Sequence, residues 1–239
     1  MFPTDFDGKR QMTMQFDPKV MMAGATAVPA PTERVSTGLT YRDNLKRGLD
    51  VMLVLIATPF VLPLVAVMAL LVALDGGSSF YSQDRLGRGG RRFRMWKLRS
   101  MVMDADAALG GHLARDPDAR VEWDRDQKLA NDPRITRIGR FIRRTSLDEL
   151  PQLWNVLTGD MSLVGPRPML PDQRALYPGH AYDRLRPGLT GAWQVSDRNA
   201  TTFAARADFD LTYDRALSLL TDISIIVATF GVVLRATGR

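Results

Sequence analysis

Cysteine is absent from the 239-residue sequence, and histidine occurs only as His112 and His180. Without thiols there is no disulfide framework, no cysteine-ligated zinc and no cysteine nucleophile. Two histidines far apart, in no ligand spacing, point away from a histidine metal site or histidine acid–base chemistry. No cleavable signal peptide is visible in MFPTDFDGKR either, which carries acidic residues and no apolar stretch. Residues 1–40, rich in Met, Ala, Pro and Thr without periodicity, read as a disordered tail. No internal repeat or low-complexity block follows.

What is present is basic charge and one long apolar run. The formal net charge is +6. A basic surface suits nucleic acid, anionic headgroups or phosphorylated substrates. Val51–Leu74 holds no charged side chain and is bounded by Asp50 and Asp75. As a straight helix it reaches about 36 Å, against about 30 Å of bilayer core. Thr58-Pro59 and Pro63 interrupt it, and the Thr58 hydroxyl can serve a carbonyl freed by a proline. Arg42, Lys46 and Arg47 precede the run, and Arg85, Arg88, Arg91 and Arg92 follow it. Basic flanks on both sides favour two cytoplasmic ends, hence a re-entrant helix broken at Thr58-Pro59. A kinked spanning helix is the alternative.

Beyond the run, Phe80–Leu98 reads as a β-hairpin turning at Gly87–Gly90. Its Arg85, Arg88, Arg91, Arg92 and Arg94, with Lys97 and Arg99, face headgroups for the most part, and a few touch substrate phosphates. Residues 103–130 read as one or two surface helices. Over Arg134–Arg144 a helical period gathers Ile135, Ile138, Phe141 and Ile142 opposite Arg134, Arg137, Arg140 and Arg144, which suits an interfacial helix. Another apolar helix runs from near Asp148 to Gly159. Leu219–Leu234 is apolar but holds Asp222, and reads as partly buried or interfacial.

Thr145–Pro168 carries the most chemistry. Asp148 and Glu149 are adjacent carboxylates behind Arg143 and Arg144. Ser146 and Glu149 could form a capping box, but Pro151 would then break the helical ladder. A helix starting at Asp148 or Glu149 tolerates Pro151 and sets the carboxylates at its positive end. That end and the arginines keep Asp148 ionised, although Glu149 opposes them. An ionised carboxylate can attack phosphorus; plain capping weighs equally. Arg167, between Pro166 and Pro168, is held for bidentate phosphate recognition, with an exposed turn as the bland alternative. Gly188 and Gly191 shape a loop near the site.

Three long motifs in order, Lys97–Met101 (KLRSM), Thr145–Pro168 and Arg186–Asn199 (RPGLTGAWQVSDRN), resemble the bacterial sugar transferases, the monotopic phosphoglycosyl transferases. The resemblance covers residues 41–239 and includes Lys46-Arg47…Asp50 and Asp75–Gly90. It implies an α+β, mostly α fold. Residues 41–75 form a re-entrant membrane region. Residues 76–239 form a cytosolic catalytic domain with a β-hairpin and interfacial amphipathic helices. It implies that Asp148 attacks the β-phosphorus of a UDP-sugar with Mg²⁺ bound there, that UMP leaves, and that the phosphosugar passes from Asp148 to undecaprenyl phosphate. Glu149 assists as base. Arg167, Arg144, Arg99 and Lys97 fall at phosphate-binding positions, and Gly188, Gly191, Gln194 and Arg198 in a loop beside the site. Membrane lipids are the other partners, nucleic acid is not one, and a homodimer is compatible with the motifs. The resemblance further implies a location at the bacterial inner membrane, facing the cytoplasm, and a role in exopolysaccharide initiation. A membrane-tethered nucleic-acid-binding protein or a scaffold are the rivals; both leave Asp148 and Glu149 without purpose.

Overall fold

The computed structural model describes residues 41–126, 129–196 and 202–234. The tail at 1–40 and Arg198 lie outside the described residues. Mostly helical structure carries two small sheets.

A π-helical turn, Tyr41–Leu45, leads into α1, Lys46–Ala73. The helix runs unbroken through Pro59 and Pro63, whereas the sequence predicts a break at Thr58-Pro59. The Thr58 hydroxyl donates to the Val54 carbonyl at 2.7 Å, an i to i−4 bond that lets a helix bend next to a proline. Among the described residues, α1 is the one helix long and apolar enough to cross a membrane. Its two halves dock on the same body. Val54 packs with Phe93, Met95, Val156 and Met161, while Met68 and Val72 pack with Leu98 and Ile142. Between these docked patches the side chains stand outward, with Ile56 at 61%, Phe60 at 78% and Leu62 at 64% exposure.

The root of α1 is tied by charge. Asp50, buried, accepts from the Ser162 hydroxyl at 2.6 Å and from the Leu163 amide at 3.2 Å. Arg47 donates to the Val156 and Leu157 carbonyls. Lys46 and the Tyr41 hydroxyl both reach Asp222, at 2.5 and 2.6 Å.

The hairpin forms as the alternation implies: β1, Phe80–Leu86, pairs antiparallel with β2, Arg92–Leu98, in the register Phe80↔Leu98 to Leu86↔Arg92. Gly89 and Gly90 take φ of 69° and 75°, left-handed values that suit glycine. The surface helices follow as α2, Ala105–Arg115, and α3, Pro117–Asp126.

Helix α4 spans Arg137–Arg144, three residues later than the pattern suggested, because Thr136 caps it by accepting the Gly139 amide at 2.9 Å. Ile135 falls outside and bridges Met101. Ile142 is fully buried, whereas Phe141 is 54% exposed, so the apolar face expected of one interfacial helix is divided between the core and the surface. Next come a 3₁₀ turn at Leu147–Glu149 and α5, Gln152–Thr158, which stops at Gly159 with φ of 88°. Strands β3, Ser162–Val164, and β4, Gly188–Thr190, pair in parallel around α6, Ala181–Arg184. Short α7, Ala192–Val195, precedes α8, Arg206–Ala216, and α9, Leu219–Leu234. Asp222 of α9 is buried, accepting from Tyr213 as well as from Tyr41 and Lys46, so one face of that helix packs inward.

Candidate active site

Asp148 and Glu149 sit in the 3₁₀ turn between α4 and α5. Ser146 takes the left-handed conformation, φ 58°, and its side chain makes no capping bond, so the capping-box alternative is not what forms. Backbone bonds from Leu150 to Leu147, Leu153 to Leu150 and Trp154 to Pro151 carry the turn into α5. Pro151 is therefore at the helix start, where its missing N–H costs little.

Asn155 of α5 fixes this turn against the hairpin. Its amide accepts from the Trp96 N–H at 3.1 Å and donates to the Arg94 carbonyl at 2.8 Å, completing the free edge of β2. Lys97, next on β2, is thereby delivered to both carboxylates: Nζ lies 2.6 Å from Glu149 and 3.9 Å from Asp148. Asp148 is buried, at 9% exposure. Burial pushes its carboxyl up to about 6, with Glu149 adding to the rise and Lys97 and Arg143 opposing it. The neighbouring arginine and lysine thus leave Asp148 ionised at neutral pH, as the sequence implies, but desolvation sets its carboxyl above the ordinary range.

A cavity of roughly 300 Å³, including its open mouth, is lined by Lys97, Glu149, Gln152, Arg167 and Gln194, with Arg85 and Gly188 also on its wall. Here hairpin, α5, the Gly165–Pro168 turn and the β4–α7 loop converge. Three glycines let the last two meet. A Cβ on Gly165 would lie 2.2 Å from the Arg186 carbonyl oxygen, one on Gly188 2.1 Å from the Gly165 amide, and one on Gly191 2.0 Å from the Gly165 carbonyl oxygen. The Gly165 amide donates to Thr190 at 2.9 Å, and that of Gly188 to Pro166 at 2.8 Å. Gln194 is 8% exposed, and its amide reaches the Leu189 carbonyl at 3.4 Å.

The cavity is short of negative charge. Arg167 sits 5.9 Å from the Trp193 ring centroid, and the Arg206 guanidinium 4.1 Å from it on a stack that includes Phe203 at 4.6 Å. Burial and then the charge of Arg167 depress Arg85, and the same two causes bring Arg206 down to about 10. Arg85 and Arg167 on the cavity wall and Arg206 on its Trp193 stack thus repel one another. That is unfavourable in the absence of an anion and well suited to holding one.

Among the sequence-predicted residues, Asp148, Glu149, Lys97, Arg167, Gly188, Gly191 and Gln194 come together. Two arginines do not. Arg99, buried, donates to the Val72 carbonyl at 3.1 Å at the end of α1. Arg144 is exposed on α4, and Arg143 is the one whose charge reaches Asp148. Sequence reasoning missed Gln152 and Arg206 and gave the hairpin arginines mainly to headgroups. Arg85 lies on β1 within the Asp75–Gly90 stretch that resembles the family, whereas Arg206 lies in none of the motifs.

Comparison with known proteins matches residues 41–236 to the model of the bacterial sugar transferases. A UDP-galactose-lipid carrier transferase of Erwinia amylovora is 48% identical over 209 residues, 86% of this chain and 44% of that protein. An undecaprenyl-phosphate galactose phosphotransferase of Salmonella typhimurium is 46% identical over the same shares. The exopolysaccharide production protein ExoY of Rhizobium meliloti is 43% identical over 81% of this chain and 87% of its own length. This chain thus spans less than half the length of the first two. The match over nearly all of the described residues, on a framework that unites the motif residues at one cavity, shows that the chain belongs to the bacterial sugar transferase family.

Proposed function

We propose that this protein transfers a hexose-1-phosphate from a UDP-sugar to undecaprenyl phosphate and releases UMP, at the cytoplasmic face of the bacterial inner membrane, as the first membrane step of exopolysaccharide or glycoconjugate synthesis. One observation carries the reading: a single cavity joins Glu149 and Lys97, whose Nζ also lies 3.9 Å from the neighbouring Asp148, to the guanidiniums of Arg85 and Arg167. Names of two relatives contain galactose and a lipid carrier or undecaprenyl phosphate, which makes UDP-galactose the first donor to try.

Arg85, Arg167 and Arg206 take the donor diphosphate. An Asp148 oxygen attacks the β-phosphorus; the bond from that phosphorus to the bridging oxygen breaks, and UMP departs with the oxygen. An oxygen of undecaprenyl phosphate then attacks the same phosphorus, and Asp148 leaves as a carboxylate. With its carboxyl at about 6, Asp148 is ionised at neutral pH and poorly solvated, which suits a nucleophile. Glu149 takes any proton released by the acceptor, and Lys97 holds the two carboxylates at one position.

Magnesium fits this site. Mg²⁺ is commonly held by one or two carboxylates together with substrate phosphates, and Asp148 and Glu149 supply the carboxylates. No cluster of three metal-ligating side chains occurs among the described residues, so the donor's phosphates would complete the shell. When bound, the metal neutralises charge on the diphosphate.

The membrane reading is supported by α1. A straight rod from Val54 to Val72 covers about 27 Å, yet both ends pack on β2 residues no more than about 17 Å apart along one strand. A helix that dips and returns meets this, with its exposed middle in lipid. Single cysteines at Thr40 and Ser78 should both resist an impermeant thiol reagent applied from the periplasm; labelling at Thr40 alone means a spanning helix.

The covalent step is tested by quenching enzyme after UDP-galactose addition without acceptor. A hexose-phosphate adduct on the Asp148 peptide, with UMP release of at most one equivalent and none in Asp148→Asn, is expected. Sequential kinetics with no adduct would leave Asp148 as a metal ligand only.

A further inference from the structure

Gln194 lines the cavity, yet the transfer steps give it no role. It is 8% exposed, and its Oε1 is buried with no hydrogen-bond partner among the described residues. We infer that Gln194 is a specificity-determining residue for the donor, its Oε1 accepting a hydrogen bond from one hydroxyl group of the donor hexose. The inference rests on the donor reading above and deepens it.

The geometry orients the amide. Nε2 donates to the Leu189 carbonyl at 3.4 Å, so the N–H side is committed to backbone and the oxygen is left bare. Turning the group over would set oxygen against oxygen at Leu189, which fixes the two atoms as they stand. Oε1 lies over Gly191, 2.8 Å from where a Cβ on that glycine would be. Gly191 is itself pressed against the Gly165 carbonyl, so the amide belongs to the same frame as the turn that carries Arg167. The bond to Leu189 is long, and it gives when a better partner arrives. The amide can then turn its oxygen to a group at the cavity wall.

A buried acceptor without a partner is rare and is unfavourable while the site is empty. What satisfies it is narrowly set, because the partner has to donate an O–H or N–H. Arg85, Arg167 and Lys97 on the same lining carry only donors, which suit phosphate oxygens. Those oxygens are acceptors and cannot serve Oε1. The ligand therefore brings a hydroxyl or an N–H close to its phosphates. In a UDP-hexose the sugar ring is joined through one oxygen to the phosphorus that Asp148 attacks, so its hydroxyls fall beside that phosphorus. The uracil N–H stands at the far end, beyond the ribose and both phosphates. A cavity of roughly 300 Å³, open mouth included, is at the small end for ligand pockets and suits the phosphate–hexose end of the donor. An acceptor of this kind discriminates more sharply than an apolar wall, because a sugar lacking the hydroxyl leaves it unpaired again.

The experiment measures UMP release by full-length protein in lipid nanodiscs containing undecaprenyl phosphate. The donors are UDP-galactose, or whichever UDP-hexose is turned over, and its monodeoxy-hexose analogues. With the wild-type protein one analogue should lose about tenfold or more in kcat/KM. Gln194→Met keeps the length of the side chain without the amide. It should lose a similar factor with the parent donor and nothing further with that one analogue. The other analogues should stand in the same ratio to the parent donor in both proteins. UMP, used as an inhibitor, should bind Gln194→Met as it binds wild type, which reports a folded cavity. Gln194→Asn, which withdraws the oxygen by one methylene, runs the same cycle where methionine is not tolerated. Losses that multiply for every analogue, or full turnover of every analogue by wild type, overturn the inference alone. Weakening of UMP to match the loss with the parent donor puts the partner on the uridine half and overturns it as well. A wild-type protein that releases UMP from no UDP-hexose overturns the donor reading and this inference with it.

Discussion

Two charged regions of the molecule are built on opposite plans. At the root of α1 the charges are matched. Arg42 and Arg184 both pair with Asp214, at 2.7 and 2.5 Å, and Lys46 pairs with Asp222, which also accepts from Tyr41 and Tyr213. At the cavity, Arg85 and Arg167 line the wall with Arg206 close enough to be repelled by both, and the carboxylates Asp148 and Glu149 already share Lys97. Neutralised, hydrogen-bonded charges hold elements in place, whereas unneutralised ones wait for a ligand. The difference separates anchor from site more surely than the count of basic residues, which is high in both.

The comparison is broken most severely at the anchor. Asp222→Leu leaves the largely buried Lys46 side chain without its partner, strips the Tyr41 hydroxyl of its acceptor and leaves Tyr213 only the longer bond to the Val164 carbonyl, and should lower unfolding stability by about 3 kcal/mol. Chemical denaturation in detergent reads this. Loss of donor binding without loss of stability would instead put Asp222 with the site.

Asp148 gives the converse. Its carboxyl is near 3.8 in the unfolded chain and about 6 in the folded one, so the native state holds the extra proton between these values. Stability contributed by that proton is full below about 4 and is lost as pH rises through 6. Above this window the buried charge costs about 3 kcal/mol at most. Asp148→Asn should therefore be inactive yet melt higher than the parent at pH 7.5, the gap closing near pH 4. Equal melting at both pH values would mean that Asp148 is better solvated than its burial implies.

Arg167→Lys has the smallest of the three effects. It retains the cation and loses the planar fork, at a cost of about 1–2 kcal/mol, or roughly five- to thirtyfold in kcat/KM. Unchanged turnover would remove the bidentate role and leave Arg167 as one charge among three.

Much of this arrangement was legible in the sequence because it is local. Alternation marks the hairpin, two glycines its turn, and Pro151 limits where the helix after Asp148 can start. Asp148 and Glu149 are adjacent, so their pairing needs no fold. What was hidden depends on long-range placement. Arg206 reaches the wall from a helix 39 positions beyond Arg167, held by stacking on Trp193, and no spacing announces that. Arg99 looked like a phosphate ligand from its motif, but the chain brings the end of α1 to it first. The choice between Arg143 and Arg144 turns on helix phase, which the late start of α4 decides. The raised carboxyl of Asp148 follows from burial, a property of the packed core and not of neighbours in sequence.

Gly165, Gly188 and Gly191 close the gap between the Arg167 turn and the β4–α7 loop to backbone-on-backbone distance. With only hydrogen atoms at the crossing, no substitution can adjust that spacing finely, because even a methyl group forces the segments apart. The frame that carries Arg167 is therefore closed to gradual change, and a shift toward a different donor sugar has to be written in cavity-lining side chains such as Gln152, Leu189 and Gln194. Libraries aimed at new donors belong at those three positions, with the glycines left alone.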